Sequence, residues 1–533
     1  MHDLKYSLIA SIKFRQALMA TQAAGPRYVS GSGVTSALGL STRYQDITFK
    51  RVESRVNELS TEIIGKFGCC QMSDGATDLE RNPVIKNLIG SVGGVFFNSV
   101  LDSTPFKISG RSGANLAYSR FLIDEHKKIE DALILRTGSK CPTILLLMDG
   151  AMTAAGRIWE EQVPYSNFAI CFPHSMDKLF EDFYALDWIS SVIDATRKIG
   201  IFIYAHQVSL GVFRASCEQE YGKDASKNLT RPVGTRFAGE FYAIESLVKH
   251  HEGLQTTVTS PKWRQWAPKQ SYRELADEVR TLILDDTLYN QQQDILKIFD
   301  PLLKALRLGD SNTCALGEIY PLCASFKDKI HKIVDDFSLE RFPEPLQRLE
   351  QMYMIIDTRW AYLYAPIHSA AYALNPRYIA QDLGTQDPEI FAGLERIVER
   401  YYHDDDDKVV RAMSQFPRFR SPAGPFRSNP TRLKAAMSKE ILPWDWWSMY
   451  GGEMPELRAV AITILSTQAG IGASERAHKL LNNSKDKKSN RLSTEKSKKK
   501  VFIKQNLRIL DNLANPFYTE PYPEPSSSDD DDE

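Results

Sequence analysis

The pattern of apolar and polar positions divides the chain into a first part with strands and a long second part with helices. Helical spacing over Tyr44–Phe67 and Leu116–Leu135 predicts two helices in the first part. Four short apolar segments bounded by turn residues predict strands, and the last is a continuous apolar run that turns polar at Asp149. These segments are GCCQMS, PVIKNLIGSV, GVFFNSVLD and CPTILLLMD.

Helical periodicity dominates from about Phe180 to Trp444, as in DWISSVIDATRKIGIFIYAH and DILKIFDPLLKALRL. Beyond this stretch, the apolar face of Glu456–Ser466 predicts a further helix. Ser474 is suited to cap the helix that follows it. Strands followed by helices and another strand predict a mixed α/β sheet with a long, mainly α-helical stretch after it.

Composition places the chain among globular proteins, with 43% hydrophobic and 25% charged residues in 533. One compact core does not accommodate this length. We find no run of about 18 uncharged apolar residues, so no membrane-spanning helix is expected. Seven cysteines in 533 residues do not make a disulfide framework, and the lack of a CxxC pair excludes a zinc finger of the usual spacing.

Charge is distributed unevenly near the C-terminus. Twelve Lys or Arg and two acidic residues between Arg476 and Arg508 give a net charge of +10. Seven acidic and no basic residues follow from Leu513 to Glu533. A basic block beside an acidic tail indicates contact with a polyanion, although a solvated helix face with a disordered tail gives the same pattern.

Three acidic residues lie where predicted elements begin or end, and their surroundings resemble motifs of the hAT superfamily of transposases. Asp74 lies in Ser-Asp-Gly-Ala-Thr-Asp, where the family pattern is Ser-Asp-Gly-Trp-Thr-Asp. Asp149 lies in Met-Asp-Gly-Ala, similar to the family's Thr-Asp-Asn-Ala. Glu475 lies in Ser-Glu-Arg at the start of a predicted helix, as in the third family motif.

Further motifs follow in the family's order from about residue 44 to residue 510. Cys171 and His174 are similar to the family's Cys-x-x-His, which from spacing alone indicates a structural role rather than a zinc site. Arg236 belongs to an Arg-Pro…Thr-Arg-Phe segment of the same kind. Similar pieces elsewhere are Asp-Thr-Arg-Trp (357–360), Ala-Tyr-Ala-Leu-Asn-Pro (371–376) and the Trp-Trp-Ser-Met-Tyr-Gly-Gly opening of a dimerisation region (446–452).

The resemblance implies an RNase H-like mixed sheet that is interrupted by a long all-α insertion and completed by a C-terminal helical dimerisation region. The expected division is an unstructured or partial N-terminus (1–43), the first part of the RNase H-like domain (44–205), the helical insertion (206–440), the dimerisation region (441–512) and a disordered acidic tail (513–533).

The resemblance also implies a chemistry. Asp74, Asp149 and Glu475 would form a DDE-like triad that binds Mg²⁺ or Mn²⁺ for cleavage and transfer of DNA strands. Two such ions can bind the attacking and leaving oxygens of a phosphodiester. DNA, a second copy of the chain and a nuclear location are the expected partners and setting, with no membrane.

Three departures from the family oppose this enzymatic hypothesis. Ala76 replaces a Trp beside Asp74, and Gly150 replaces an Asn beside Asp149. Nothing before residue 44 resembles the zinc-binding BED finger of the family. The alternative is therefore a non-enzymatic, dimerising regulatory protein of the nucleus that derives from a transposase. The tryptophans between Pro443 and Tyr450 are expected in a dimer interface, unless they pack inside the chain.

Overall fold

The computed structural model of the chain describes residues 37–78, 81–105, 116–223, 228–230, 238–267, 271–338, 342–381, 388–438, 440–484 and 494–514. Among these residues the chain forms a mixed α/β structure in which helices predominate. No described helix is long and apolar enough to cross a membrane. The acidic tail and most of the N-terminal segment lie outside the described residues.

One mixed sheet of five strands lies at the centre of the first part, in the order β3-β2-β1-β4-β5. β1 pairs antiparallel with β2 and parallel with β4. At the two edges, β2 pairs antiparallel with β3, and β4 pairs parallel with β5. The four predicted strands are all present. The strands are β1 (Cys69–Thr77), β2 (Pro83–Ser91), β3 (Gly94–Asp102), β4 (Thr143–Met148) and β5 (Asn167–Ile170).

Two details differ from the sequence pattern. The fifth strand, β5, was not predicted, because four residues are too few to show a period. The first helix, α1 (Ala37–Phe67), begins earlier than predicted, within the segment expected to be an unstructured or partial N-terminus (1–43). It ends as expected, because Gly68 takes a positive φ of 72° that favours glycine.

Helices cover both faces of the sheet, which is why the first five residues of β1 are buried on both sides. On one face, α2 (Leu116–Thr137) and α3 (Thr153–Gln162) bury apolar side chains against the strands. On the other face lie the C-terminal helices, which are α19 (Pro443–Tyr450), α20 (Pro455–Leu465), α21 (Gly472–Ser484) and α22 (Thr494–Leu513).

Along the chain, the helical segment (residues 172–437) separates the strands from these last helices, as the periodicity predicts. Much of it has a hydrophobic core of its own, formed by side chains between Ile170 and Leu363. The domain boundaries at 205 and 440 stay predictions. The helices are α4 (Phe172–Tyr184), α5 (Asp187–Ala205), α6 (Gln207–Tyr221), α7 (Gly239–Lys249), α8 (His251–Thr259), α9 (Pro261–Trp266), α10 (Arg273–Ile283), α11 (Asp286–Asp310), α12 (Leu316–Ala324), α13 (Phe326–Asp335), α14 (Pro345–Leu363), α15 (Pro366–Leu374), α16 (Pro388–Tyr401), α17 (Asp406–Arg420) and α18 (Pro430–Met437).

The C-terminal helices are joined to the sheet by packing and by hydrogen bonds. The Asn506 amide of α22 both donates to and accepts from the backbone of Phe97 in β3, over 2.9 Å each. Val460, Ile464 and Val501 belong to the same buried cluster as Met72 of β1. The last part of the chain is therefore needed to complete the core around the sheet.

Candidate functional site

The strand register brings two of the three predicted acidic residues to neighbouring positions. Ser73 pairs with Met148 in β1 and β4, and Met148 pairs with Ile170 in β5. Asp74, Asp149 and Cys171 are the next residues, so they follow one line across the three strands. We call these three positions the carboxyl edge. The Cys171 N–H donates to the carbonyl of Met148 over 2.8 Å, which fixes β5 at this level.

Asp74 is held by partners from two other elements. The Lys86 ammonium of β2 donates to Asp74 Oδ2 over 2.9 Å. The Ser474 hydroxyl of α21 donates to the same oxygen over 3.0 Å. The Lys86 side chain is 1% exposed and that of Asp74 11% exposed, so this ion pair is almost fully removed from water. Lys86 was not singled out in the sequence, although a lysine within an apolar strand is a recognisable signal.

Ser474 does not have the role that the sequence predicts. The helix α21 begins at Gly472, so Ser474 lies inside its first turn rather than before it. Its hydroxyl donates to Asp74 instead of accepting from the helix. The prediction of an N-cap at Ser474 is therefore wrong, because the helix already begins two residues before it, at Gly472.

Glu475 is the next residue of α21, and its side chain lies outside the described part of the structure. Its neighbours on both sides are anchored. Ser474 contacts Asp74, and Arg476 donates to the Asp310 carbonyl over 3.2 Å and to Asn312 Oδ1 over 2.5 Å. The backbone of Glu475 is thus close to the carboxyl edge, whereas its role as the third acid stays a prediction.

Asp149 follows β4 directly and is half-buried. The backbone turns here into a short 3₁₀ helix (Gly150–Met152), for which the Asp149 side chain makes no cap bond. Tyr362 of α14 covers this turn, and its hydroxyl donates to the Gly150 carbonyl over 2.7 Å. A Cβ atom at Gly150 would lie only 2.6 Å from that hydroxyl. Tyr362 therefore occupies the space that a side chain at residue 150, such as the family's Asn, would need.

Cys171 and His174 form a local pair at the start of α4. The Cys171 thiol is fully buried, 3.2 Å from His174 Nδ1 and 3.4 Å from the Ile471 N–H. Burial raises the pKa of Cys171 far above its usual range, and the charges of Asp74 and Asp149 act in the same direction. A neutral, buried thiol fits the structural role inferred from the spacing. Arg236 lies outside the described residues.

A divalent metal ion fits the carboxyl edge only in part. Carboxylates at neighbouring positions are suitable ligands. However, one oxygen of Asp74 already accepts from Lys86 and Ser474, and a buried ammonium beside a ligand opposes a second cation. Among the described residues, no group of three or more His, Cys, Asp or Glu is arranged to hold a metal ion. As the described residues stand, Asp74 does not fit as a metal ligand.

The tryptophans that were expected at a dimer interface are buried inside the chain. Trp444, Trp446 and Trp447 are at most 1% exposed. The indole N–H groups of Trp446 and Trp447 donate to the carbonyls of Arg432 and Leu374, over 3.1 and 2.8 Å. These rings pack α19 onto the helical segment, so the alternative interpretation, internal packing, applies to them. Met449 is 55% exposed.

A basic surface follows one face of α22. Lys500, Lys504 and Arg508 are exposed and spaced four residues apart, so they lie on the same side of the helix. The opposite side of α22 packs against β3 and α1. This arrangement presents three positive charges outward, next to the sheet.

Comparison with known proteins concerns the C-terminal part of the chain. Residues 427–507 match the family model of the hAT family C-terminal dimerisation region. No curated protein matches the chain. The matched residues include α19, α20 and α21 and most of α22, which are the helices that complete the core around the sheet. The match confirms the resemblance indicated by the motifs: the chain resembles the hAT-family transposases and carries their C-terminal dimerisation region.

Proposed function

We propose that the chain is a transposase-derived protein of the nucleus that binds DNA and associates with a second copy of itself without cleaving DNA. The dimerisation region supports the self-association. The observation that carries the non-enzymatic part is the Lys86–Asp74 ion pair, which occupies an oxygen that a metal-dependent nuclease would need. The function would then consist in holding DNA and other chains together.

We further propose that the sheet is RNase H-like, as the resemblance implies. Three antiparallel strands followed by two parallel ones, in the order β3-β2-β1-β4-β5, support this assignment. The helical segment would be the insertion that separates β5 from α21. The carboxyl edge would correspond to the site at which such a sheet carries its acidic residues.

DNA binding is assigned to the basic face of α22. Phosphate contacts by Lys500, Lys504 and Arg508 give affinity without sequence preference. Anisotropy titrations of a random duplex over a range of salt concentrations test this assignment. Replacing all three residues by Gln should flatten the slope of log affinity against log salt by up to about 2.7, since each lost phosphate contact contributes about 0.9.

A matched control replaces three exposed basic residues of the helical segment, Lys262, Arg264 and Arg280, by Gln. This variant should keep the wild-type salt dependence. Strong preference for one sequence in a binding selection would contradict the proposal, and so would an unchanged slope in the α22 variant.

Self-association is best tested with surface substitutions, because removal of the dimerisation region would also remove core residues. Among the described residues that match the family model, the exposed large hydrophobic side chains are Met437 and Met449. Light scattering should show an oligomer for the full chain at micromolar concentration. Met437→Lys/Met449→Lys should weaken it, whereas Met354→Lys on the exposed face of α14 should not. A folded full-length monomer would contradict the proposal.

Metal-dependent DNA strand cleavage by Asp74, Asp149 and Glu475, with Mg²⁺ or Mn²⁺, is the second candidate. The register that places Asp74 beside Asp149 favours it. Incubating supercoiled DNA with the full chain and Mn²⁺ separates the two candidates. Cleavage that is lost in Asp149→Asn would support the enzyme, and intact DNA with retained DNA binding would support the first candidate.

A further inference from the structure

Lys86 is the least expected residue of the sheet. It lies in the middle of β2, opposite Asp74 in the antiparallel register, and its side chain is 1% exposed. The residues around it on the strand are buried and mostly apolar. A positive charge at such a position is found only where it is paired and hydrogen-bonded.

The pairing forms a closed triangle between three elements, β1, β2 and α21. Lys86 Nζ donates to Asp74 Oδ2 and to the carbonyl of Ser474, over 2.9 Å each. The Ser474 hydroxyl then donates to the same Asp74 oxygen over 3.0 Å. Two donors therefore converge on Asp74 Oδ2, and one of them is a full positive charge.

We propose that Lys86 takes the place of a divalent metal ion on Asp74, so that an internal cation holds the carboxyl edge together. A metal ion on Asp74 Oδ2 would have to displace the ammonium group, and one on Oδ1 would lie beside this positive charge and be repelled by it. Among the described groups, the displaced charge would keep the Ser474 carbonyl alone as a partner within an apolar strand, which is strongly unfavourable. This inference concerns metal binding alone and holds whether or not the chain binds DNA.

Calorimetric titration of Mn²⁺ into the full-length chain tests the proposal. Lys86→Met keeps an unbranched side chain only one atom shorter and removes its charge, which leaves Asp74 free to bind a cation. Lys86→Met should bind Mn²⁺ at least about tenfold more tightly than the wild type, an effect typical of changes next to a metal ligand. The gain should disappear in Lys86→Met/Asp74→Asn.

Lys198→Met is the matched control, since Lys198 pairs with Glu278 on the surface and its side chain is 41% exposed. It should leave Mn²⁺ binding at the wild-type level. Equal affinity in the wild type and Lys86→Met would overturn the proposal. Loss of wild-type Mn²⁺ binding on Asp74→Asn would overturn it as well.

A second measurement uses only the wild-type chain and so does not depend on the folding of Lys86→Met. Amine acylation followed by mass spectrometry reports whether Lys86 is accessible. The proposal requires that Lys86 stays protected with and without millimolar Mn²⁺, whereas Lys198 is labelled in both cases. Labelling of Lys86 that appears on addition of Mn²⁺ would show that the metal displaces it and would refute the proposal.

Discussion

Two buried carboxylates on opposite sides of the sheet are stabilised in different ways. Glu130 of α2 lies beneath one face, and the described groups from which it accepts are all neutral: Gln71 Nε2 at 3.0 Å, Tyr165 Oη at 2.7 Å and both the hydroxyl and the N–H of Thr143. Asp74 lies on the other side and is paired with the charged Lys86.

The difference separates a structural carboxylate from one that belongs to a charged site. Burial raises the pKa of Glu130, because neutral donors compensate only part of the lost hydration. Asp74 is balanced by a full charge, and that charge comes from within the sheet. A carboxylate that serves packing can lose its charge, whereas the Asp74–Lys86 pair needs both charges to remain stable.

The largest effect is expected from breaking the charged pair. Lys86→Met should lower the free energy of unfolding by about 3–5 kcal/mol, because the largely buried Asp74 carboxyl would lose its charged partner. Urea unfolding of the full chain in metal-free buffer measures this loss. Asp74→Asn in the same background should restore part of it, since no buried charge is then left unpaired.

Lys198→Met is again the control. Its pair with Glu278 is largely exposed, and such pairs contribute at most about 1 kcal/mol. Equal losses for Lys86→Met and Lys198→Met would show that the pair beside the carboxyl edge is no more important than a surface contact. The contrast between Asp74 and Glu130 would then be wrong, because the charge of Lys86 would contribute little to stability.

A smaller, pH-dependent effect is expected at Glu130. Its folded-state pKa is raised above the ordinary 4.5, so its stabilisation is fully present below pH 4.5 and is lost as the pH rises through the folded pKa. Glu130→Gln cannot lose a proton in this way. Its stability relative to the wild type should therefore increase with pH in this window, by at most about 1.4 kcal/mol per pH unit.

Unfolding midpoints between pH 4 and pH 8 check this expectation. At pH 4 the variant should be the less stable protein, because its amide group donates toward Gln71, which is also a donor. A constant difference between variant and wild type across the whole range would mean that Glu130 has the same pKa in the folded and unfolded states.

The smallest effect is expected beside Asp149, the other acidic residue of the carboxyl edge, where Tyr362 contacts the adjacent backbone. Gly150→Ala should cost about 1 kcal/mol, since the new Cβ would force Tyr362 away and break its hydrogen bond. Tyr362→Phe should cost a similar amount. The double variant should lose little more than either single one, and additive losses in thermal unfolding would exclude this coupling.

The sequence pattern was sufficient for elements that are long or strongly apolar. β1 to β4, α2 and α20 were predicted at nearly their observed positions, because each buries a periodic set of side chains. The strand β5 was missed because it is only four residues long. The family motifs predicted that Asp74 and Asp149 lie close together. The register of β1 with β4 shows the reason, since the two residues follow paired positions of neighbouring strands.

The contacts that decide the chemistry could not be predicted in the same way. Lys86 faces Asp74 only because β2 returns beside β1 in one particular register. Ser474 reaches Asp74 only because the helix α21 starts two residues before it. The tryptophans of α19 looked like interface residues by composition, and their burial depends on where the helical segment places Arg432 and Leu374. All three contacts depend on tertiary packing: Ser474 and Asp74 are 400 residues apart, and Lys86 and Asp74, only 12 apart, meet through the pairing of two strands.

The bond between Ser474 and Asp74 closes a loop of 400 residues, which has a consequence for synthesis of the protein. At about 5–20 residues per second, the ribosome needs roughly 20–80 s to make the chain between these two residues. During this time the apolar face of the sheet around Met72 has no C-terminal helices to cover it. The nascent sheet is therefore an aggregation-prone intermediate that a chaperone would protect, and a chain that terminates before α20 would expose this face permanently.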